Sequence, residues 1–390
     1  MYDVIVVGAS PAGIMATWKA SLSGARVLLL DRKTRLGVDH QPADTTFTGM
    51  FKRTGLNIRD EYLVHRVRGM HIVSPAGFRF AINSPGFVVD RQAFDLYYLG
   101  LAHDSGAEIK AGALVVGLEN SLGKRRVIVR ELGEKKIYDG KIIVGADGIE
   151  SYIAKWAGIR PMVHPNEIAS SVQAEMIGVE NEYPDYFQYF LGSQVAPGWK
   201  ATVSPKGDSK ASVGAFVRNA PRPAIYYFNN FVYKNGKEKF RDAKILKMQA
   251  GGDPVATIPN QTVGDGVMVV GGAAGQAGLS YGMLCGIFCG EVAAESIEAD
   301  DQSKPFLSKY QQRWRKELLT EYRLGYYMLK AIEKMRDEDL DSIVKSLQDT
   351  DVSERIPRHQ SLFGKGMSGA LLVMQKDPRI LNLVTRILPV

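Results

Sequence analysis

The chain has 390 residues, more than one simple hydrophobic core organises, and its 45% hydrophobic and 23% charged residues are ordinary for a globular protein. Two cysteines exclude a disulfide framework and favour the reducing cytoplasm, and the N-terminus shows no signal peptide. The formal charge of +7 comes from scattered basic residues, so nucleic-acid binding has no support, whereas a peripheral contact with an anionic membrane stays open.

The first predicted elements form one βαβ unit. Residues 4–7 are a continuous apolar run, as expected of a strand that is buried on both faces. Residues 13–23 have the pattern of a helix that stops at Gly24, and a second buried strand over 26–30 ends in Asp31. Such a unit packs only with a right-handed crossover.

The turn between this strand and this helix is rich in small residues: Gly8-Ala9-Ser10-Pro11-Ala12-Gly13. A helix N-terminus attracts phosphate through its unpaired N–H groups and its dipole. Gly8 permits the tight turn, Ser10 is small enough for a pyrophosphate to approach, and Gly13 lets the helix pack on the strand. Asp31, with Arg32 beside it, ends the second strand, where a carboxylate accepts hydrogen bonds from adenosine ribose hydroxyls. The sequence therefore predicts an adenine dinucleotide.

Later segments favour FAD over NAD. Residues 142–148 are a buried strand that ends in a Gly-Ala-Asp-Gly turn with Asp147, and residues 267–275 are a strand that enters a turn containing Gly272 and Ala273. A second helix N-terminus directed at the same ligand suits a cofactor as long as FAD. No further glycine-rich fingerprint exists for a nicotinamide domain.

The remaining elements follow in order. Short strands are predicted near 71–73, 78–82 and 87–89, a helix over Arg91–Ser105, and strands near 108–118, 125–131 and 136–145. Residues 168–262 have the pattern of an antiparallel sheet, and the chain is helical from Glu291 onward. The uncharged stretch 266–290 is long enough to cross a bilayer, but its glycines form clusters rather than one packing face. A strand, a loop and a buried helix are the preferred interpretation.

Together these segments resemble the geranylgeranyl reductase family, within the p-hydroxybenzoate-hydroxylase-like flavoproteins. The similarity covers most of residues 1–300, and the segment 377–388 is similar to the family's basic, leucine-rich tail. Four motifs carry the resemblance: Val88 to Asp95, Gly148-Ile149-Glu150-Ser151, Pro205 to Gly214, and Gly286 to Ala294.

The resemblance implies a fold and a cofactor site. The fold is α/β, with a Rossmann-like FAD-binding domain of the glutathione-reductase type (1–70, 91–165 and 262–300), an α+β substrate-binding domain with an antiparallel sheet (71–90 and 166–261) and a C-terminal helical region (301–390). The residues at the family's FAD contacts are Ala12, Asp31, Arg91, Val115, Gly272, Gly282 and Met283. Reduced flavin in such enzymes donates a hydride to an isoprenoid C=C bond, and NAD(P)H or ferredoxin supplies the electrons.

The chain departs from the family at several positions. Gly272 replaces an acid that bonds the ribitol chain, and the following loop, 276–282, is short. Residues 200–205 replace an aromatic wall, so Tyr189, Trp199 and Pro205 are the candidate substrate contacts. His40 occupies a loop that normally carries cysteine and is a candidate proton donor, although we favour an ordinary surface histidine.

Other side chains are better explained by packing. Cys285 and Cys289 lie four residues apart and lack further metal ligands, so they are predicted to be buried core residues with no metal site. The aromatic residues between Tyr310 and Tyr327 recur at helical spacing and are also predicted core. For residues 371–388, an ordinary packed helix is preferred to a membrane-surface helix.

Three functions remain. The leading one is an FAD-dependent reductase that saturates a prenyl (geranylgeranyl) lipid or another apolar substrate. The alternatives are an aromatic monooxygenase of the same fold and a non-catalytic flavin-fold protein that binds a lipid. A halogenase is disfavoured because its Trp-x-Trp-x-Ile-Pro signature is absent around Trp199.

Overall fold

The computed structural model describes residues 1–37, 44–121, 124–162, 164–255 and 257–348. The predicted mixture of parallel and antiparallel sheets with C-terminal helices is confirmed. Contacts between residues divide the chain into two compact units. Unit 1 comprises the described parts of 1–40, 90–167 and 257–320, and unit 2 comprises those of 41–89, 168–256 and 321–390. The boundaries of these two units differ from the domain boundaries that were predicted from the sequence.

The elements are numbered in chain order. The strands are β1 (Tyr2–Val7), β2 (Val27–Asp31), β3 (Thr45–Phe47), β4 (Leu63–Val67), β5 (Gly69–Val73), β6 (Arg79–Ile82), β7 (Gly86–Val89), β8 (Glu108–Ala111), β9 (Ala113–Ser121), β10 (Lys124–Glu131), β11 (Glu134–Gly145), β12 (Ala169–Ile177), β13 (Tyr186–Phe190), β14 (Lys200–Gly207), β15 (Lys210–Val217), β16 (Lys244–Asp253), β17 (Val263–Gly264) and β18 (Val267–Val269). The helices are α1 (Pro11–Leu22), α2 (Thr48–Lys52), α3 (Arg91–Asp104), α4 (Tyr152–Trp156), α5 (Ala224–Asn230), α6 (Leu279–Glu298), α7 (Lys304–Lys334) and α8 (Asp337–Leu347).

Unit 1 is built on one sheet in the order β17-β18-β11-β1-β2-β8, and β9 and β10 extend it as an antiparallel meander from β11. The strands from β18 to β8 pair in parallel. Val4, Ile5 and Val6 on β1 are completely buried, as the apolar run predicted. The parallel arrangement brings the carboxyl ends of β1, β2, β11 and β18 to one edge of the sheet.

Helices α1 and α6 pack against each other without large side chains between them. A β-carbon at Gly286 would lie 2.3 Å from the carbonyl oxygen of Ala12, and one at Gly290 would lie 2.4 Å from that of Ala16. The expectation that the glycines of 266–290 avoid a packing face was therefore wrong for α6, because glycines four residues apart share one side of a helix. Among the described helices, none combines the length and apolarity needed to cross a bilayer.

Unit 2 contains a sheet in the order β16-β12-β15-β14-β13-β5-β6 and a small sheet in the order β3-β7-β4. The strands between β16 and β13 pair antiparallel, as predicted for 168–262, and β5 joins β13 in parallel. One face of the large sheet packs its alanine and valine side chains against α5, through residues such as Tyr227 and Phe228. Its other face carries Tyr189, one of the candidate substrate contacts, opposite Thr202, whereas Pro205 pairs with Ala211 of the cluster on the α5 face.

Helix α7 begins in unit 1 and ends in unit 2, and α8 belongs to unit 2. Tyr310 and Trp314 on α7 are fully buried, as the helical spacing predicted, but the prediction was wrong for Tyr327, which is 41% exposed. Thirteen residues after Trp314, it lies on a different side of the helix. The Trp314 Nε1–H donates to Thr262 Oγ1 at 3.1 Å, which joins α7 to the segment before β17. Asp337 at the start of α8 accepts hydrogen bonds from the backbone N–H and the hydroxyl of Ser193 at 2.9 and 2.8 Å.

Candidate functional site

The glycine-rich turns predicted from the sequence all lie at the carboxyl edge of the parallel sheet in unit 1. The turn at Gly8 follows β1, Asp31 ends β2, the turn at Asp147 follows β11, and the turn at Gly271 follows β18. Ligands of open parallel sheets bind outside this edge. Sequence segments more than 100 residues apart therefore meet where a dinucleotide is expected.

The turn after β1 requires its two glycines for space. A β-carbon at Gly8 would lie 2.4 Å from the carbonyl oxygen of Ala146, and one at Gly13 would lie 2.0 Å from that of Gly8. Gly8 also has φ +105°, a value that side chains disfavour. Ser10 caps α1, because its hydroxyl accepts from the Gly13 N–H at 3.2 Å. The first-turn N–H groups of α1 are thus directed out of the sheet edge.

Asp31 ties the end of β2 to this turn. Its Oδ2 accepts the Ala9 N–H at 2.6 Å and its Oδ1 accepts the Lys33 N–H at 2.8 Å. The side chain is buried, whereas that of the adjacent Arg32 is exposed. A carboxylate has about four acceptor positions, so these two bonds leave Asp31 able to accept from a ligand hydroxyl.

The Asp147 carboxylate organises the turn after β11. It accepts from the Ser151 hydroxyl at 2.6 Å and from the Ile153 N–H at 3.1 Å, so it holds the start of α4. Burial raises the pKa of Asp147, while these hydrogen bonds act in the opposite direction. Gly148, with φ +88°, completes the turn.

The turn after β18 is held by a buried polar network. The Gln276 Oε1 accepts the Gly271 N–H at 2.9 Å, and its Nε2 donates to the Tyr310 Oη at 3.0 Å. The Tyr310 hydroxyl donates to the Val269 carbonyl at 3.0 Å, and burial raises its pKa well above 10. The sequence interpretation missed this network, because Gln276 and Tyr310 lie 34 residues apart and no local motif joins them.

Gly272 and Ala273 lie within this turn and differ in their surroundings. Ala273 is buried in the core of the sheet. A β-carbon at Gly272 would lie 3.5 Å from the Gly148 Cα, which is an ordinary van der Waals distance. The backbone of this chain therefore has room for a side chain at position 272, next to the turn after β11.

The remaining cofactor candidates also belong to unit 1. Gly282 and the fully buried Met283 lie in the first turns of α6, and a β-carbon at Gly282 would lie 3.7 Å from the Ala12 Cβ. Val115 is partly buried on β9, beside a bulge in its pairing with β10. The structure brings Ala12 and Gly282 together.

Arg91 starts α3 and forms a buried ion pair with Asp95. The Arg91 Nη2 lies 3.2 and 3.1 Å from the two carboxylate oxygens of Asp95. Burial raises the pKa of Asp95, and the guanidinium of Arg91 opposes that shift. The sequence named Arg91 but not its partner, although the spacing of four residues on a helix was a usable signal.

The three candidate substrate residues belong to unit 2. Tyr189 on β13 pairs with Thr202 of β14, whereas Pro205 lies three residues further along β14 and pairs with Ala211 of β15. Trp199 immediately precedes β14. The Tyr189 hydroxyl accepts from Lys200 Nζ at 2.9 Å. Lys200 belongs to the segment 200–205 that replaces the aromatic wall of the resembling family.

A polar cluster lies near Pro205 on the same sheet. The buried Asp44 Oδ2 accepts from the Ser212 hydroxyl at 2.5 Å and lies 3.1 Å from Lys206 Nζ. The Thr45 hydroxyl donates to Asp44 Oδ1 at 3.1 Å and forms a hydrogen bond with the Ser204 hydroxyl. The acid and its neighbours hold β3 against β14.

The remaining predictions concern groups other than the cofactor. His40, the candidate proton donor, lies outside the described residues, as does the segment 371–388. Cys285 and Cys289 are both buried, as predicted, and burial raises the pKa of the Cys289 thiol. In the described part of the chain, no group of three or more His, Cys, Asp and Glu side chains forms a metal site.

The edge of unit 1 fits FAD by its own geometry. Two glycines that tolerate no β-carbon, a capped helix N-terminus and a strand-end carboxylate form the adenosine side. The turns after β11 and β18 supply backbone groups further along the same edge. The first set suits the adenosine half of a dinucleotide, and the turns after β11 and β18 are available to the rest of the cofactor.

Known structures share this fold. A geranylgeranyl bacteriochlorophyll reductase-like protein from Thermoplasma acidophilum superposes with a TM-score of 0.87 at 23% identity, over 99% of both chains. A halogenase in complex with FAD gives a TM-score of 0.69 at 14% identity, over 99% of this chain and 94% of that one. At such identities the likeness establishes the fold alone.

Sequence comparison establishes the family. Residues 3–218 match the FAD dependent oxidoreductase family. The chain is 34% identical to the digeranylgeranylglycerophospholipid reductase of Methanocaldococcus jannaschii over 359 residues, covering 89% of this chain and 90% of that protein. It is 33% identical to a digeranylgeranylglycerophospholipid reductase of Methanopyrus kandleri over 365 residues, covering 90% and 91%. The chain therefore belongs to the FAD-dependent oxidoreductases, in the family that contains the digeranylgeranylglycerophospholipid reductases.

Proposed function

We propose that this enzyme saturates carbon–carbon double bonds in a prenyl lipid, such as a geranylgeranyl ether lipid. The observation that carries the proposal is the similarity to reductases named for such lipids, at 34% and 33% identity over about nine-tenths of each chain. When bound, reduced FAD supplies a hydride to one carbon of the double bond, and a proton completes the saturation.

We assign the binding of the cofactor to the carboxyl edge of unit 1, which is then the FAD-binding domain. The residues proposed to contact FAD are Gly8, Ser10, Ala12, Gly13, Asp31, Arg32, Arg91, Val115, Asp147, Gly272, Ala273, Gly282 and Met283. The helix N-terminus at Ser10 stabilises pyrophosphate through backbone N–H groups. Asp31 accepts from the ribose hydroxyls and disfavours a 2′-phosphate.

We assign the binding of the lipid to the large sheet of unit 2. The face opposite α5 carries Phe187 and Tyr189, with Met70, Ile72 and Ile82 packed beside them. Such a surface contacts an apolar chain and excludes water from it. Tyr189, Trp199 and Pro205 are the proposed substrate contacts. His40 stays a candidate proton donor from the sequence, where an ordinary surface histidine is the preferred interpretation.

The electron donor is proposed to bind transiently, because the chain has one dinucleotide fingerprint and FAD occupies it. NAD(P)H and ferredoxin are the two donors consistent with this arrangement. We place the enzyme in the cytoplasm, in peripheral contact with the membrane that supplies its lipid.

The test uses the full chain purified with FAD. Flavin absorbance establishes loading, and dithionite under anaerobic conditions reduces the enzyme without a physiological donor. Incubation with a geranylgeranyl ether lipid should then give product with two hydrogens added per reduced double bond, measured by mass spectrometry. Reduced enzyme that leaves every prenyl lipid unchanged would refute the proposal.

An oxygen control separates this activity from that of a monooxygenase. A reductase saturates the lipid in the absence of oxygen. A monooxygenase instead consumes oxygen and oxidises NAD(P)H faster when its substrate is present. Oxygen uptake coupled to hydroxylation would assign the alternative function.

A further inference from the structure

Lys200 lies among aromatic side chains on the face of the unit 2 sheet that is opposite α5. Its Nζ lies 4.1 Å from the ring centre of Tyr189, 5.1 Å from that of Trp199, 5.2 Å from that of Phe216 and 5.9 Å from that of Phe187. Phe216 is its direct partner across β14 and β15. Aromatic faces attract a cation, so the rings hold the ammonium group in place.

The hydrogen bonding of Lys200 is incomplete. An ammonium group has three N–H donors, and one of them is directed to the Tyr189 hydroxyl at 2.9 Å. Within the described residues, Lys200 forms no ion pair. Asp253 is the acid whose charge interacts with it, but it lies beyond direct ion-pair distance.

A second donor without an acceptor lies close to Lys200. The Trp199 Nε1–H is buried, and no described residue accepts its hydrogen bond. Buried donors in proteins are nearly always paired, so each exception needs an explanation. An acceptor-rich ligand beside Lys200 would pair both the indole N–H and the remaining ammonium donors.

The two halves of this sheet face differ in chemistry. Phe187 and Tyr189 belong to an apolar cluster that continues onto β5 and β6. On β14 the same face carries Lys200, Thr202 and Ser204, in the register that pairs Thr202 with Tyr189. Lys200 thus adjoins the apolar cluster through Tyr189 and shares its strand with the polar side chains of Thr202 and Ser204.

We propose that Lys200 and Trp199 bind a phosphate group at the polar end of the substrate while its apolar chain lies on Phe187 and Tyr189. This inference rests on the proposed function, and it adds to it the residues that bind the anionic end of such a lipid. It also explains why a cation stands at a position where the resembling family has an aromatic side chain. A flexible lysine suits a phosphate as a point charge.

The test compares two ligands that share one prenyl chain: geranylgeranyl phosphate and the neutral geranylgeraniol. Their dissociation constants for the FAD-loaded enzyme are measured in a non-ionic detergent by quenching of tryptophan fluorescence. We expect the wild-type protein to bind the phosphate at least about tenfold more tightly. The preference should fall as salt is added, because salt screens the attraction.

Three variants test the role of Lys200 itself. Lys200→Met keeps the length and apolar contacts of the side chain and should remove the phosphate preference while leaving affinity for the alcohol within about twofold. Lys200→Arg should retain most of the preference, because the charge stays. Lys210→Met removes an exposed lysine on the neighbouring strand β15 and should behave as wild type. Thermal melting establishes that each variant is folded.

The outcomes separate the two proposals. If both ligands bind and Lys200→Met keeps the wild-type preference, the role of Lys200 is overturned while the prenyl substrate class stands. If neither prenyl ligand binds the wild-type enzyme, the inference and the proposed substrate class both fail. If Lys210→Met loses the preference equally, the effect is one of net charge and the assignment to Lys200 is wrong.

Discussion

Gly286 on α6 faces the backbone of Ala12 on α1, where an added β-carbon would lie 2.3 Å from the carbonyl oxygen. Ala12 also follows the glycine turn at the carboxyl edge of β1. The helix pair and the proposed cofactor turn therefore share a residue. A change in the distance between the helices would move the turn.

Gly286→Ala should lower the free energy of unfolding and the flavin content of the purified protein. Overpacking a tight contact typically costs about 1–3 kcal/mol, which exceeds the gain of about 1 kcal/mol in helix propensity. Thermal melting and flavin absorbance measure the two effects. Gly100→Ala on α3 is the matched control, since nothing lies within 4 Å of its added β-carbon, and it should not destabilise the protein. Equal effects of the two changes would contradict the steric explanation.

Gly272→Asp should tighten FAD binding. The resembling family has an acid at this position that bonds the ribitol chain, and a charge-assisted hydrogen bond is worth roughly 1.5–3 kcal/mol, or about tenfold or more in affinity. The substitution should be tolerated because its β-carbon would lie 3.5 Å from the nearest atoms. Titration of apoprotein with FAD measures the dissociation constant. Gly272→Ala adds the β-carbon without the acceptor, so the idea fails if it tightens binding as much as the acid does.

Tyr310→Phe should destabilise the protein by about 1–3 kcal/mol, because it removes the hydroxyl that donates to Val269 and leaves the buried Gln276 amide without its acceptor. Urea unfolding measures the change. Tyr327→Phe, at a residue that is 41% exposed on the same helix, should stay within about 0.5 kcal/mol of wild type. If Tyr310→Phe leaves the free energy of unfolding unchanged, the network contributes nothing to stability.

His71 should make the stability of the protein depend on pH. Burial and then the charge of Arg79 lower the pKa of His71 from 6.5 to about 4. Between these values the unfolded state binds more protons than the folded state, so this contribution is present above pH 6.5 and is lost as the pH falls toward 4. His71 stacks on Tyr186 at 4.2 Å, so His71→Phe keeps a ring there but removes the titration.

The measurement compares the two proteins at several pH values. The free energy of unfolding of the wild type, minus that of His71→Phe, should decrease as the pH is lowered from 6.5 to 4. The difference cancels the contribution of carboxyl groups that titrate in the same range. A constant difference across this range would mean that His71 is equally protonated in the folded and unfolded states.

The sequence alone was sufficient to predict the βαβ unit with its glycine-rich turn and to identify the family. Gly8, Gly13 and Asp31 lie within one short stretch of chain, and the strand, turn and helix that contain them follow from local propensities, although Ala146 also limits the space at Gly8. The small residues from Gly286 onward were also recognised as a motif from the sequence. The sequence did not show that they pack against α1. The three substrate candidates were named from departures and aromatic composition, without knowledge of their neighbours.

Only the tertiary structure decided which distant residues meet. Gln276 forms a hydrogen bond with Tyr310, Gly286 packs on Ala12, and Lys200 contacts Tyr189 and Phe216. The order and register of the strands and helices bring these residues together. Pairings of this kind depend on how whole elements pack, and packing is decided by the shape of many side chains together. A local pattern therefore identifies the cofactor turn, whereas the surroundings of Lys200 exist only once the sheet of unit 2 has formed.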